Sequence, residues 1–122
     1  MDRKALIREY KDTPRPMGVY RVRNTANGKS FVGASTDLPA RLNRHRAQLT
    51  LGAHPIRALQ TDWNTLGPDV FEFEVIDTLK PSDQAGYDPS DDLRLLEQMW
   101  LEKLSPFDER GYNAKPKQPP PG

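Results

Sequence analysis

Cysteine is absent from the 122 residues, which excludes a disulfide scaffold and any thiolate metal or redox chemistry. No apolar run is long enough to span a bilayer, and the charged start MDRKALIREYKD lacks the apolar stretch of a signal peptide. The chain is therefore expected to be soluble and cytoplasmic, with no membrane partner. Internal repeats are absent too. Net charge is scarce, at +1, but that small sum hides a division. Residues 1–60 carry twelve Lys/Arg against four Asp/Glu, whereas residues 61–122 carry six against thirteen. Solvated faces with chance clustering would account for such a split. So would a basic surface for phosphates beside acidic groups able to hold a cation. Charge alone does not choose between them.

What the chain has in quantity is proline, twelve in all. Four of these (Pro116, Pro119, Pro120 and Pro121) crowd the end, KPKQPPPG, which reads as an extended, solvated tail. The length suits one compact domain. The expected organisation is an accessory helix and linker over residues 1–16, a folded domain over 17–114 and a disordered tail over 115–122. Within residues 2–12, Leu6, Ile7 and Tyr10 share one side of a helix that stops before Pro14. Met17–Arg23 and Lys29–Ala34 read as strands of a β-hairpin, joined through Asn27-Gly28, a pair suited to positive φ. Asp37 is a good N-cap and Pro39 fits a first turn, so a helix should run from Leu38 to about Leu51 and end at Gly52. A second helix is expected from Pro55 to Leu66, with Ile56, Leu59, Gln60 and Trp63 at helical spacing. Val70–Thr78 alternates Phe71, Phe73 and Val75 with acidic partners and is the clearest strand. A last helix, capped by Ser90 or Asp91, should reach Leu104.

Two helices carry polar groups on their apolar stripes. With Leu38 at zero and 100° per residue, Leu42 and Leu49 fall at roughly 40° and 20°, and His45 and Arg41 at about −20° and −60°. His45 thus lies within the stripe and Arg41 at its edge, while Arg44 and Arg46 point away. On the last helix, Leu93, Leu96, Trp100 and Leu104 form the stripe and Glu97 sits among them. An unpaired carboxylate there would cost several kcal/mol, on the order of a buried unpaired charge, so it requires a partner. A single such histidine is most simply a satisfied core residue, and Glu97 alone is as readily an ion pair as a metal ligand. Three ionisable groups on two helices that pack on the same sheet favour one shared cleft.

The hairpin adds the remaining pieces. Gly18-Val19-Tyr20, followed after ten residues by Phe31-Val32-Gly33, resembles the paired tripeptides of the GIY-YIG nuclease family. The resemblance continues through Arg41 and His45, Gly52-Ala53-His54, Leu59-Gln60, Phe71-Glu72-Phe73, Glu97-Gln98-Met99-Trp100 and Gly111-Tyr112-Asn113, and so covers about residues 17–114. It implies an α+β fold, a small three-stranded antiparallel sheet flanked by helices. It also implies an endonuclease that hydrolyses nucleic-acid phosphodiesters with one divalent cation, Mg²⁺ or Mn²⁺, with DNA favoured over RNA. Tyr20, Arg41, His45, Glu97 and Asn113 fall on the family's catalytic positions, with Glu97 the metal ligand.

The chemistry suits these side chains. Tyr20 could pass on a proton from the attacking water, helped by His45 or by the field of the cation, because a phenol has a reference pKa near 10. Arg41 offers a fork of donors to phosphoryl oxygens. Glu97 would hold the cation through oxygen, and Asn113 could buttress the site. Lys29, Arg44 and His54 are the candidate substrate contacts, His54 being expected in a solvent-exposed loop.

One position departs from the pattern. The second tripeptide begins with Phe31 where the family has tyrosine, so a hydroxyl that would orient the water or Tyr20 is missing, while Gly33 is kept. Tyr112 is a candidate replacement. This departure motivates an alternative, a nucleic-acid-binding module with weak or lost catalysis. The proline-rich tail and acidic second half motivate a third, a protein-interaction domain.

Overall fold

The computed structural model describes residues 15–80, 82 and 84–115. The helix expected over residues 2–12 and nearly all of the tail lie outside them. Three strands form one antiparallel sheet in the order β2–β1–β3: β1 (Met17–Asn24), β2 (Ser30–Ser35) and β3 (Phe71–Leu79). Three helices accompany it: α1 (Leu38–Leu51), α2 (Arg57–Leu66) and α3 (Ser90–Leu104). The α+β expectation holds.

The central position of β1 explains why its sequence alternates poorly. Successive side chains point to opposite faces, yet Val19, Tyr20 and Val22 are all buried. A strand covered on both faces needs apolar residues on both. The hairpin turn is built by its own side chains. Asn24 Oδ1 accepts from the Ala26 N–H and Asn27 Oδ1 from the Lys29 N–H, while Gly28 takes the positive φ of 79°. Asn27 does not share it.

Local signals set the limits of α1. The Asp37 carboxylate accepts from the Ala40 N–H at 3.1 Å, and Gly52 closes the helix in the left-handed region at φ 75°, satisfying late carbonyls. The inward residues are Leu38, His45 and Leu49, as the helical phase required. The second helix starts at Arg57, two residues later than expected, because the Ile56 N–H is directed at the His54 ring instead. Pro89 is the N-cap of α3, and no side chain caps it. Ser90 bonds Asp88, which corrects the expected Ser90 or Asp91 cap.

The main core lies on the Tyr20 and Val22 face. Val22, Leu49, Leu59, Trp63, Phe71 and Tyr112 form it, with Phe31, Ile56, Val70 and Phe73 packed around. Trp63 meets Phe71 at 5.3 Å between ring centroids. The third helix packs chiefly on β2 and β1. Its Trp100 indole donates to Asp77 at 2.8 Å, and Asp77 is the cross-strand partner of Val19. Val19 points away from Tyr20, so α3 covers the opposite face from α1. The two helices share a sheet but not a side of it, and a common site must form around the exposed edge of β2.

Candidate active site

Tyr20 reaches that edge because its partner across the strand pair is Gly33. A Cβ on Gly33 would stand 2.5 Å from the Tyr20 hydroxyl, closer than real Cβ contacts come. The missing side chain is what lets the phenol cross β2. Its hydroxyl then meets His45 Nε2 at 2.7 Å. Phe31, His45 and Tyr20 form a ring cluster, with Phe31 5.4 Å from His45 and 6.2 Å from Tyr20 between centroids. Phe31 therefore packs in the site as expected, without a hydroxyl. Burial pushes the Tyr20 phenol up to about 12, with Arg41 pulling it down and Glu97 pushing it further up.

The polar chain continues inward. His45 Nδ1 lies 2.8 Å from His54 Nε2, and His54 Nδ1 accepts from the Ile56 N–H at 3.1 Å. The His54 N–H donates to Gln60 Oε1, whose amide donates in turn to the Leu49 carbonyl and to Asn64. Burial pushes His45 down to about 4, with His54, Arg41 and Arg44 adding to the effect. Burial lowers His54 as well. This corrects the expectation for His54. It is buried, and both of its ring nitrogens are occupied by protein, so it is not a substrate contact. Gln60, which reads as a core position in the sequence, is a further member of the site. A polar residue on the α2 stripe beside a histidine-bearing turn was the signal for it.

Arg41 and Arg44 line a groove of about 220 Å³ with Ser35, Thr36, Asp37 and Ala40. Neither guanidinium has an ion-pair partner among the described residues. Other cations of the basic half are engaged: Arg21 holds Glu74 at 3.1 Å, and Arg15 holds Asp37 at 3.0 Å. On the α3 side, Glu97 lines a larger groove of about 610 Å³ with Arg94, Gln98, Leu101, Glu102, Ser105 and Phe107. Glu97 makes no hydrogen bond or ion pair with any described residue, so it lacks the structural partner that burial would demand and instead faces open space. The charges of Arg41 and Glu97 both bear on the Tyr20 phenol, although the two side chains line separate grooves; the direct contact at the hydroxyl is His45.

The fifth expected catalytic residue acts indirectly. The Asn113 amide accepts from the Val32 N–H and donates to the Val32 carbonyl, both at 2.8 Å. It clamps the edge of β2 between Phe31 and Gly33, where an unpaired backbone pair would otherwise lie. Tyr112 does not replace the missing Phe31 hydroxyl. Its own hydroxyl donates to Asp62 at 2.6 Å and accepts from Asn24 at 3.1 Å, inside the main core. Lys29 stands against the Tyr112 ring at 6.0 Å. Four residues along the chain from Gly33, it is roughly 13 Å from the Tyr20 crossing at strand rise, apart from the contact of Tyr20 with His45.

A family model for the GIY-YIG catalytic domain matches residues 16–113. The chain belongs to the GIY-YIG family. It is 36% identical over 62 residues to intron-associated endonuclease 1 of Enterobacteria phage T4, covering 51% of this chain and 25% of that protein. The chain thus spans about a quarter of that relative's length. Among solved structures, the catalytic domain of the homing endonuclease I-TevI is similar at a TM-score of 0.67 and 28% identity, over 82% of this chain and 99% of that one. A glutamate-to-alanine mutant of the same domain gives 0.65 and 28%, over 80% and 92%. GIY-YIG nucleases generally use a divalent metal. The donor set here suits one sort of ion. No group of three or more His, Cys, Asp or Glu among the described residues could hold a metal, and Glu97 offers one unpartnered carboxylate. A hard cation that keeps most of its waters fits such a ligand; a fully caged ion does not.

Proposed function

We propose that this domain is an endonuclease that hydrolyses DNA phosphodiester bonds with the help of one Mg²⁺ or Mn²⁺ ion held by Glu97. The observation that carries the reading is the buried contact of the Tyr20 hydroxyl with His45 at 2.7 Å, and the charges of Arg41 and Glu97, which both bear on that phenol, support it. Tyr20 accepts the proton of the attacking water after giving its own to solvent water, a loss that the field of a bound cation would favour against the upward push of burial. Arg41, with no carboxylate partner among the described residues, binds the phosphoryl oxygens and meets the charge that builds there. The cation, when bound at Glu97, supplies Lewis-acid stabilisation of the leaving oxygen. Asn113 and Gly33 keep the β2 edge and the phenol in register. The assignment of roles to Tyr20, Arg41, His45, Glu97 and Asn113, the limits of the catalytic unit at residues 17–114 and a cytoplasmic setting are part of this proposal.

The test is nicking of supercoiled plasmid with Mg²⁺ or Mn²⁺. Wild type should cut, Glu97→Ala and Arg41→Ala should not, and EDTA should stop the reaction. Equal trace cleavage by wild type and Glu97→Ala would sink the reading. A second reading, DNA binding with little turnover, is favoured by one observation: Phe31 lacks the hydroxyl, and Tyr112 is committed to Asp62 and Asn24. Salt-sensitive binding without metal-dependent cutting would support it.

A further inference from the structure

The chain of ring nitrogens behind Tyr20 has a direction, and its inner end sets it. A backbone N–H can only donate. His54 Nδ1, 3.1 Å from the Ile56 N–H, must therefore present a lone pair. A neutral imidazole with a lone pair on Nδ1 carries its proton on Nε2. That nitrogen faces His45 Nδ1 at 2.8 Å, and two N–H groups cannot face each other, so His45 Nδ1 accepts. The proton of His45 is then on Nε2, which faces the Tyr20 hydroxyl at 2.7 Å. The inner end is held firmly. Gln60 accepts from the His54 N–H while donating to the Leu49 carbonyl and to Asn64, so the turn from His54 to Ile56 is tied to both α1 and α2.

We infer that the Ile56 N–H polarises this relay outward, that His54 is a positioning residue which holds His45 as its Nε2–H tautomer, and that His45 donates to the Tyr20 oxygen rather than accepting its proton. Burial of both rings keeps them neutral and so preserves the single-proton condition on which the direction depends. The reverse arrangement, with Tyr20 donating to His45, would place a proton on His54 Nδ1 against the Ile56 N–H. Two consequences follow for the proposed chemistry. Tyr20 keeps its own proton on the side away from His45, where it can leave towards the substrate face. When it leaves to a water on that side, the phenolate retains the His45 Nε2–H as a fixed donor. His45 is then a stabiliser of the oxyanion of Tyr20 and not its base.

This assignment takes its catalytic meaning from the nuclease reading, but its test does not depend on cleavage. The chain contains two histidines, so long-range proton–nitrogen correlation spectra of the full ¹⁵N-labelled protein at neutral pH report both rings. The expected result is one tautomer for each, with Nε2 protonated and Nδ1 pyridine-like, and a slowly exchanging Nε2–H on His45. In His54→Leu, His45 should populate both tautomers. The nicking rate constant kcat should fall at least tenfold with KM unchanged. His54→Gln, whose amide can still donate to His45 Nδ1, should restore the tautomer and most of the rate. A protonated Nδ1 on His45 in the wild type, or a His45 tautomer unaltered in a folded His54→Leu variant, would overturn the inference. The nitrogen spectra decide the direction even if the wild type cuts no DNA, an outcome that would count against the nuclease reading alone.

Discussion

Tyr20 crosses its neighbouring strand directly over Gly33, so close that a Cβ at position 33 would stand 2.5 Å from the hydroxyl and 2.7 Å from Cζ. The second tripeptide thus has a steric purpose that does not depend on its first residue. Gly33→Ala should displace the phenol and break its contact with His45. Overpacking of this sort costs about 1–3 kcal/mol, and a misplacement near 1 Å can cost on the order of 100-fold in rate. Thermal melts and single-turnover cleavage should therefore both fall. A variant that keeps the wild-type rate would show that the phenol need not lie where it does.

Among the described residues, some arginines of the first half are held by carboxylates, as Arg21 is by Glu74, and others, Arg41 and Arg44, have no ion-pair partner. Arg44 should contact a phosphate, so Arg44→Ala should weaken DNA binding and reduce the slope of log affinity against log salt by about one. Arg21 is held by Glu74 through two nitrogens. Its replacement by alanine should leave that slope unchanged while lowering stability. Fluorescence anisotropy across a salt series distinguishes the two.

Stability should depend on pH through the two histidines. In the folded protein both hold protons less tightly than in the unfolded chain, His45 at about 4 and His54 also below its ordinary value. The unfolded state then binds more protons as pH falls, so stability is full above about 6.5 and declines towards pH 4. Tyr20 and His54 touch His45, and the cations of Arg41 and Arg44 face it. The melting temperature should drop by a few degrees between pH 7 and pH 5. His45→Asn should flatten the dependence; an equal drop in that variant would place its origin elsewhere.

Phe31→Tyr restores the hydroxyl that the motif usually carries. If that group positions the water or Tyr20, the nicking rate should rise by roughly tenfold, less than the 100-fold or more that a preorganised donor can be worth. Tyr112→Phe should leave the rate unaltered, because its hydroxyl serves Asp62 and Asn24 in the core. It should instead cost about 1–3 kcal/mol for the polar partners left unsatisfied. Loss of cleavage in a stably folded Tyr112→Phe variant would contradict the separation.

Local chemistry made much of this legible. Asp37, Pro39 and Gly52 marked both ends of α1, and the phase of Leu38, Leu42 and Leu49 put His45 on its buried side. The alternation of Phe71 and Phe73 with Glu72 and Glu74 marked β3. What stayed hidden depended on tertiary placement. His54 sits just past a helix-ending glycine, where a solvated loop is the usual outcome. Its burial comes from a turn that folds back onto α1 and is held by Gln60. The apolar stripe of α3 put Glu97 among the residues expected to turn inward, but only Leu93 of that helix is buried and Glu97 lines an open groove; nor does a stripe say which face of the sheet receives it. Tyr112 and Asn113 are adjacent in sequence yet serve the core and the β2 edge respectively, because the chain bends at Tyr112 between the bridge of Gly111 to Ser30 and that of Asn113 to Phe107.

The central claim is that the Tyr20 hydroxyl is the point on which the chemistry turns. Tyr20→Phe removes one oxygen and keeps the ring that packs over Gly33 and against His45. Metal-dependent single-turnover cleavage of a defined DNA duplex, measured beside binding and melting of the same variant, tests the claim directly. The account predicts a rate at least 100-fold below wild type, in line with loss of a central catalytic group, with DNA affinity essentially unchanged. Cleavage at the wild-type rate by folded, DNA-bound Tyr20→Phe would contradict it.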